Sequence, residues 1–122
     1  MIERRRVERV VPDPRSPIEV QIMGNGFLEV VNAVNISTKG VGIYLRHGLD
    51  ETLLGSRVEI VLVLPRCRPV FVRGRIRHLD GHDDFRYIGL EFMRLPPRVE
   101  KLLTQYVERN RHRPDQARPS AD

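Results

Sequence analysis

Apolar and polar residues alternate through most of the segment between residues 18 and 93, which is the pattern of half-buried β-strands. Turn-forming residues separate the alternating runs, and the Asn25-Gly26 pair favours a tight hairpin between the first two. Pro65 ends the fourth run, because proline cannot donate a hydrogen bond to a strand ladder. The six predicted strands are 18–22, 27–37, 41–45, 57–64, 70–79 and 85–93.

The alternation also predicts which side chains face a core, because successive side chains of a strand point to opposite faces. The second strand would turn its even-numbered apolar residues inward, namely Leu28, Val30, Val34 and Ile36. The fifth and sixth strands would bury two further sets, Val70, Val72, Gly74 and Ile76, and Ile88, Leu90 and Phe92. The outward face of the fifth strand would carry an arginine stripe, which suits either solvent or a partner: Arg73, Arg75 and Arg77.

The period of the pattern changes after residue 95. Pro96-Pro97 suits the start of a helix, and the apolar residues that follow have helical spacing. They form one stripe on a helix predicted at 97–110: Val99, Leu102, Leu103, Tyr106 and Val107. The stripe would cover an open end or side of the sheet, with a dimer seam as the alternative. The predicted fold is therefore all-β, a small six-stranded antiparallel β-barrel with a C-terminal helix, over residues 18–110.

The two ends of the chain differ from this domain. Residues 1–17 are rich in arginine and contain Pro12, Pro14 and Pro17, which oppose a regular helix or ladder. We expect a flexible N-terminal arm that an anion would order. Residues 111–122 are polar and contain proline, so we expect a disordered tail.

Composition fits one cytoplasmic globular domain. The chain has 122 residues, of which 40% are hydrophobic and 30% charged. No apolar run approaches a membrane span and the N-terminus carries no signal-peptide core, so we expect no membrane insertion. The single cysteine, Cys67, cannot form an internal disulfide. A monomer or weak dimer is expected.

The formal net charge of +5 makes an anionic partner plausible. Lys39 and Lys101 are the only lysines among the 21 basic residues. This arginine bias has two explanations that composition cannot separate. One is codon usage in a GC-rich genome, and the other is forked recognition of phosphates and guanine edges.

Two short segments are candidates for an anion site. The first is the arginine run Arg4-Arg5-Arg6, followed three residues later by Arg9, and a solvated charge run would explain it equally well. The second is the segment 35–40, in which Asn35 and Ser37 would share the outer face of a strand and form a polar shelf ending at Gly40. Ordinary turn chemistry would also explain this group.

Taken together, the two segments resemble the motifs of the PilZ domain family. That family pairs an arginine motif R-x-x-x-R in an N-terminal arm with D/N-x-S-x-x-G on a later strand. Arg5 and Arg9 fit the first motif, and Asn35, Ser37 and Gly40 fit the second. The segment 88–92 is similar to a late family strand with Gly-x-x-Phe. The resemblance extends over residues 3 to 107 and implies the same barrel fold.

The resemblance implies binding of cyclic di-GMP, with no other cofactor. Arg5 and Arg9 would contact guanine edges or phosphates, and Asn35 would meet the guanine Watson–Crick edge. Ser37 would donate to or accept from the ligand, and Gly40 would leave room for a base. An arginine at the position of Arg4 implies a stacked pair of ligand molecules.

Arg6 and Arg77 are possible secondary contacts. Some family members place an aromatic residue against the ligand where this chain has Arg77 and His78, so the stacking contact departs from that pattern. The implied mechanism is ordering of the arm by the ligand, followed by recognition by an unidentified downstream protein. The alternative is a PilZ-like interaction adaptor with weak or absent nucleotide binding.

Other site classes are less well supported by the sequence. The polar turn at 78–84 contains metal-ligand types but matches no zinc spacing, so we expect no metal site. Ser37 has no evident general base and Cys67 no evident partner, so we expect no enzyme. A nucleic-acid-binding barrel remains a third hypothesis, opposed by the shortage of surface aromatics.

Overall fold

The computed structural model describes residues 7–24, 26–46, 51–82 and 85–115. Its strands are β1 (Glu19–Gly24), β2 (Phe27–Asn32), β3 (Asn35–Ile36), β4 (Gly40–Leu45), β5 (Arg57–Val63), β6 (Val70–His82) and β7 (Phe85–Met93). A short 3₁₀ helix covers Glu51–Leu53, and helix α1 covers Pro97–Arg109. The mostly-β class and the C-terminal helix are confirmed, whereas the structure has seven strands rather than six.

All seven strands belong to one curled antiparallel sheet in the order β2-β1-β5-β6-β7-β4-β3. The extra strand arises because the predicted strand at 27–37 bends after Asn32 and changes partner. Ala33 N donates to Ile18 O, and Val34 N donates to Gly42 O. β2 therefore pairs with β1, and β3 pairs with β4.

The bend also reverses the predicted inward face of β2. Leu28 and Val30 are 62% and 56% exposed, whereas Phe27 and Val31 pack against the core. Ile36, beyond the bend, is buried as predicted. Alternation is interrupted at Val30-Val31 and at Asn32, and the phase of the chain relative to the core changes at the bend, so extending the even-numbered set from Ile36 back to Leu28 assigned β2 to the wrong face.

The core lies between the concave face of the sheet and α1. The predicted inward residues of β6 and β7 are all buried, as are four residues of the helix stripe: Val99, Leu103, Tyr106 and Val107. The helix stripe therefore belongs to the core. Burying a Val, Leu or Ile side chain contributes about 1.5–3 kcal/mol, so this seam holds α1 in place. Among the described residues, no helix is long and apolar enough to cross a membrane.

The second half of the predicted arm packs on this domain. Val10, Pro12 and Ile18 are buried. Val10 N donates to Ile36 O (2.9 Å) and Ile36 N donates to Val10 O (3.0 Å), so Val10 extends the sheet beyond β3. Val10 therefore packs on the domain, although it lies within the segment 1–17 that is predicted to be a flexible arm.

The start of the predicted tail packs against the same segment. Val11 N donates to Arg113 O at 2.7 Å, and Pro114 forms an isolated bridge with Val10. Arg111 Nε also contacts Glu8 Oε1 at 3.0 Å. The prediction for residues 116–122 concerns a segment outside the described residues.

Candidate ligand-binding cleft

The turn between β3 and β4 is built by Ser37. Its hydroxyl accepts hydrogen bonds from the backbone N–H groups of Lys39 (3.0 Å) and Gly40 (3.1 Å), and Ser37 N donates to Gly40 O at 2.9 Å. Ser37 is only 3% exposed. Serine suits this position because one short hydroxyl satisfies two backbone donors. The turn in consequence presents the side chain of Lys39 to solvent.

Gly40 allows close contact between β4 and β7. A Cβ atom at this position would overlap the carbonyl oxygen of Leu90. Gly42 has a similar requirement, since its Cβ would overlap the Tyr87 hydroxyl. The family resemblance implies room for a base at Gly40, whereas in the structure its nearest neighbour is the backbone of β7. Gly42 was not singled out.

Asn35 is buried, in contrast to the exposed polar shelf expected from the sequence, with 1% of its surface exposed. Its Nδ2 donates to Tyr87 Oη at 2.9 Å and to Asp115 Oδ2 at 2.7 Å. The alternation rule missed this because β3 is covered on its outer side by Tyr87 and by the C-terminal segment. Tyr87 is 52 positions and Asp115 is 80 positions from Asn35 in the chain. No local sequence pattern therefore links either residue to Asn35.

The bridge between Val10 and Ile36 brings the end of the arginine motif to the β3–β4 turn. Arg9 precedes Val10 and is exposed, and its carbonyl accepts from Asp115 N at 3.3 Å. The structure therefore places Arg9 beside Ser37 and Gly40, as the motif pairing predicts. Arg4, Arg5 and Arg6, the remaining predicted arm contacts, lie outside the described residues.

These elements enclose a cleft of about 230 Å³. Three of the predicted residues line it, namely Arg9, Ser37 and Gly40, and so does the possible secondary residue Arg77. Its other lining residues are Val7, Lys39, Val41, His78, Tyr87, Gly89, Leu90 and Glu91. Asn35 lies behind the cleft, bonded to the lining residue Tyr87.

The far wall of the cleft comes from an irregularity in β6. The β6–β7 register shifts between Ile76 and His78, which places Arg77 at a bulge. Arg77 Nε lies 3.5 Å from Glu91 Oε1, and both side chains are about half exposed (54% and 47%). The His78 ring lies over Gly89, where a Cβ would stand 3.0 Å from His78 Cδ2. The bulge thus turns two adjacent polar residues towards one cleft.

The charge of the cleft favours an anion. Arg9, Lys39 and Arg77 contribute three cationic groups, and Glu91 contributes one carboxylate. Guanidinium groups at such a site can form forked hydrogen bonds with phosphate oxygens or with guanine O6 and N7. The described residues contain no group of three or more His, Cys, Asp or Glu side chains that could hold a metal ion. The cleft is therefore suited to a phosphate-containing organic ligand.

The chain belongs to the PilZ domain family, which matches it over residues 3–109. This confirms the resemblance drawn from the two motifs. A curated relative, an uncharacterised protein of Aquifex aeolicus (strain VF5), is 29% identical over 98 residues. That match covers 73% of this chain but 43% of the relative, so the chain spans less than half of the relative's length.

Solved structures show the same fold at low sequence identity. The inhibitor of motility MotI/DgrA of Bacillus subtilis superimposes with a TM-score of 0.74 at 22% identity, covering 96% of this chain and 55% of MotI. The PilZ domain of YcgR from Escherichia coli, solved with c-di-GMP, superimposes with a TM-score of 0.68 at 17% identity, covering 90% of this chain and 93% of that domain. MrkH of K. pneumonia, solved as a c-di-GMP complex, has a TM-score of 0.69 at 13% identity, covering 88% of this chain and 52% of MrkH.

Proposed function

We propose that this protein is a cyclic di-GMP receptor that signals to a partner protein. The observation that carries the proposal is the convergence of Arg9 with the Ser37–Gly40 turn in one cationic cleft. The two family motifs are distant in the sequence, yet Arg9 of the first and Ser37 and Gly40 of the second line this cleft. Membership of the PilZ family and the c-di-GMP complexes of its structural neighbours support the choice of ligand.

The cationic groups of the cleft and the Ser37 turn each have a proposed part in binding. Arg9 and Arg77 contact phosphate oxygens or guanine edges, and Lys39 adds a point charge for a phosphate. The Ser37 turn fixes the positions of Lys39 and Gly40. Arg4 and Arg5 complete the site from the arm, and we expect them to accommodate a stacked pair of ligand molecules.

The packing of Val10 limits the proposed ordering step to the residues before it. Val10 is hydrogen-bonded to Ile36 in both directions, so it anchors the arm at the rim of the cleft. Residues 7–9 are exposed. Ligand binding would draw the arginines that precede Val10 across the cleft and create a new surface for the partner.

Isothermal titration with cyclic di-GMP tests the proposal and gives affinity and stoichiometry together. A forked arginine–guanine contact contributes about 1–3 kcal/mol, so Arg9→Ala or Arg5→Ala should weaken binding by roughly tenfold to a hundredfold. Arg98→Ala, an exposed arginine on α1, is the matched control. Unchanged affinity in both arm variants would refute the site, and preferential binding of single-stranded DNA would favour the nucleic-acid hypothesis.

A second candidate function is an interaction adaptor with weak nucleotide binding. The observation in its favour is the burial of Asn35, whose amide group already donates to Tyr87 and Asp115. A guanine that used this amide would have to displace one of the two partners. Absence of heat and of amide NMR shifts on addition of cyclic di-GMP would favour the adaptor.

A further inference from the structure

A row of side chains crosses the outer surface of four neighbouring strands, on a part of the sheet that does not line the ligand cleft. Met23 pairs with Glu59, Glu59 with Arg73, and Arg73 with Met93. Cross-strand partners share one face of a sheet. The adjacent row points into the core and is fully or nearly buried: Ile22, Ile60 and Val72. The first row therefore faces outward.

This row forms the floor of a groove of about 810 Å³ that extends to Pro96 at the start of α1. Phe71 lies on the same face of β6 as Arg73 and is 74% exposed. Phe71 adds to the apolar surface that Met23 and Met93 provide at the two ends of this row. A large exposed aromatic beside flexible methionines is typical of a surface that binds another protein chain.

Arginines lie among and beside these apolar side chains. Arg57, Arg73 and Arg94 line the groove, and Glu59 is the one carboxylate among its described lining residues. None of the three arginines forms an ion pair or a side-chain hydrogen bond with another described residue. Arg94 also has a left-handed backbone (φ 51°), which is uncommon for a non-glycine residue and turns the chain at the groove rim. The groove therefore combines exposed apolar side chains with a net positive charge.

We propose that this groove is the docking surface for an acidic segment of a partner protein that carries an apolar anchor side chain. The anchor packs against Phe71 and Met93, which lie on the neighbouring strands β6 and β7, and the carboxylates of the segment pair with the three arginines. Residues 116–122 (QARPSAD) are a poor occupant, because they contain no large apolar residue and only one acidic side chain.

The groove and the ligand cleft use the same two strands. β7 contributes Glu91 to the cleft and Met93 to the groove, and β6 contributes Arg77 and Arg73 in the same way. A partner in the groove would lie next to the nucleotide site without occupying it. This inference goes beyond nucleotide binding and does not depend on it.

Fluorescence anisotropy on the full chain tests the docking surface. The probe is a fluorescein-labelled synthetic peptide in which aspartate and glutamate residues flank a Leu-Phe pair. We expect the protein to bind this peptide, and Phe71→Ser and Arg73→Glu each to weaken binding by about tenfold. Phe85→Ser and Arg98→Glu, exposed residues outside the groove, are matched controls and should leave binding unchanged.

Two further peptides and a DNA probe separate specific docking from charge attraction. A peptide with Ser-Ser in place of Leu-Phe, a peptide with lysine in place of the acidic residues, and a short single-stranded DNA should all bind more weakly. Equal binding of the serine peptide or the DNA would overturn the proposal, as would unchanged binding by Phe71→Ser. Amide NMR shifts should map to β5, β6 and the end of β7, and shifts confined to the nucleotide cleft would also overturn it.

Discussion

The side-chain amide of Asn35 donates a 2.7 Å hydrogen bond to Asp115 Oδ2, although the two residues are 80 positions apart in the chain. The C-terminal segment therefore covers the first residue of the strand motif. Asp115 N also donates to Arg9 O, so the same residue contacts both motifs. Asp115 connects the arm, the motif strand and the end of the domain.

Asp115→Ala should lower the free energy of unfolding by about 1 kcal/mol, because it removes an acceptor from a buried amide. Because Asp115 is partly exposed, the expected loss of stability is smaller than that for removing a fully buried, charged hydrogen-bond partner. Asp115→Asn, which keeps an acceptor oxygen, should retain most of the stability. Urea denaturation measures both, and identical midpoints for the two variants and the native protein would contradict the contact.

Hydrogen exchange should divide the arm at Val10. The amides of Val10, Val11 and Ile36 are bonded to backbone carbonyls at 2.9, 2.7 and 3.0 Å, so they should exchange slowly without ligand. Cyclic di-GMP should slow exchange in the residues before Val10 and leave these three amides unchanged. Fast exchange at Val10 in the free protein would instead place the boundary of the arm near residue 17.

The fold was predictable where the pattern is local and strong. The 3.6-residue stripe predicted a helix at 97–110, and the structure has Pro97–Arg109. Alternation located β5, β6 and β7 and assigned the buried faces of β6 and β7 correctly. These elements follow from residues close together in the chain, so a single sequence suffices to predict them.

The errors arose where distant residues decide the structure. The bend after Asn32 depends on backbone bonds near β1 and to β4, and the break in alternation at residues 30–32 does not identify these distant partners. The burial of Asn35 depends on Tyr87 and Asp115. In the candidate site, Arg9, Ser37 and Gly40 were identified through motif pairing, whereas Lys39 and Tyr87 required the folded geometry.

Identical substitutions at two adjacent residues test the corrected face of β2. Val31 packs against the core, so Val31→Thr buries a hydroxyl and should destabilise the protein by about 1–3 kcal/mol. Val30 is 56% exposed, and Val30→Thr should change stability by about 0.5 kcal/mol or less. Thermal or urea unfolding measures the stability of both variants. If Val30→Thr were more destabilising than Val31→Thr, the inward face predicted from alternation would be the correct one.

Two arginines on β6 should separate nucleotide binding from partner docking. Arg77 lines the cleft and Arg73 lines the groove, four positions apart on one strand. Arg77→Ala should weaken cyclic di-GMP binding by about tenfold and leave the acidic peptide unaffected. Arg73→Ala should do the opposite.

Arg77→Ala removes only the half-exposed Arg77–Glu91 pair, and such pairs contribute about 0–1 kcal/mol to stability. Arg73 forms no ion pair with another described residue. Neither substitution should therefore unfold the protein. Calorimetry with the nucleotide and anisotropy with the peptide give both affinities on the same preparations. If both variants lost nucleotide affinity equally, and the loss disappeared at high salt, general charge attraction would account for binding. Separate losses would instead assign the nucleotide and the partner to different surfaces on the same pair of strands.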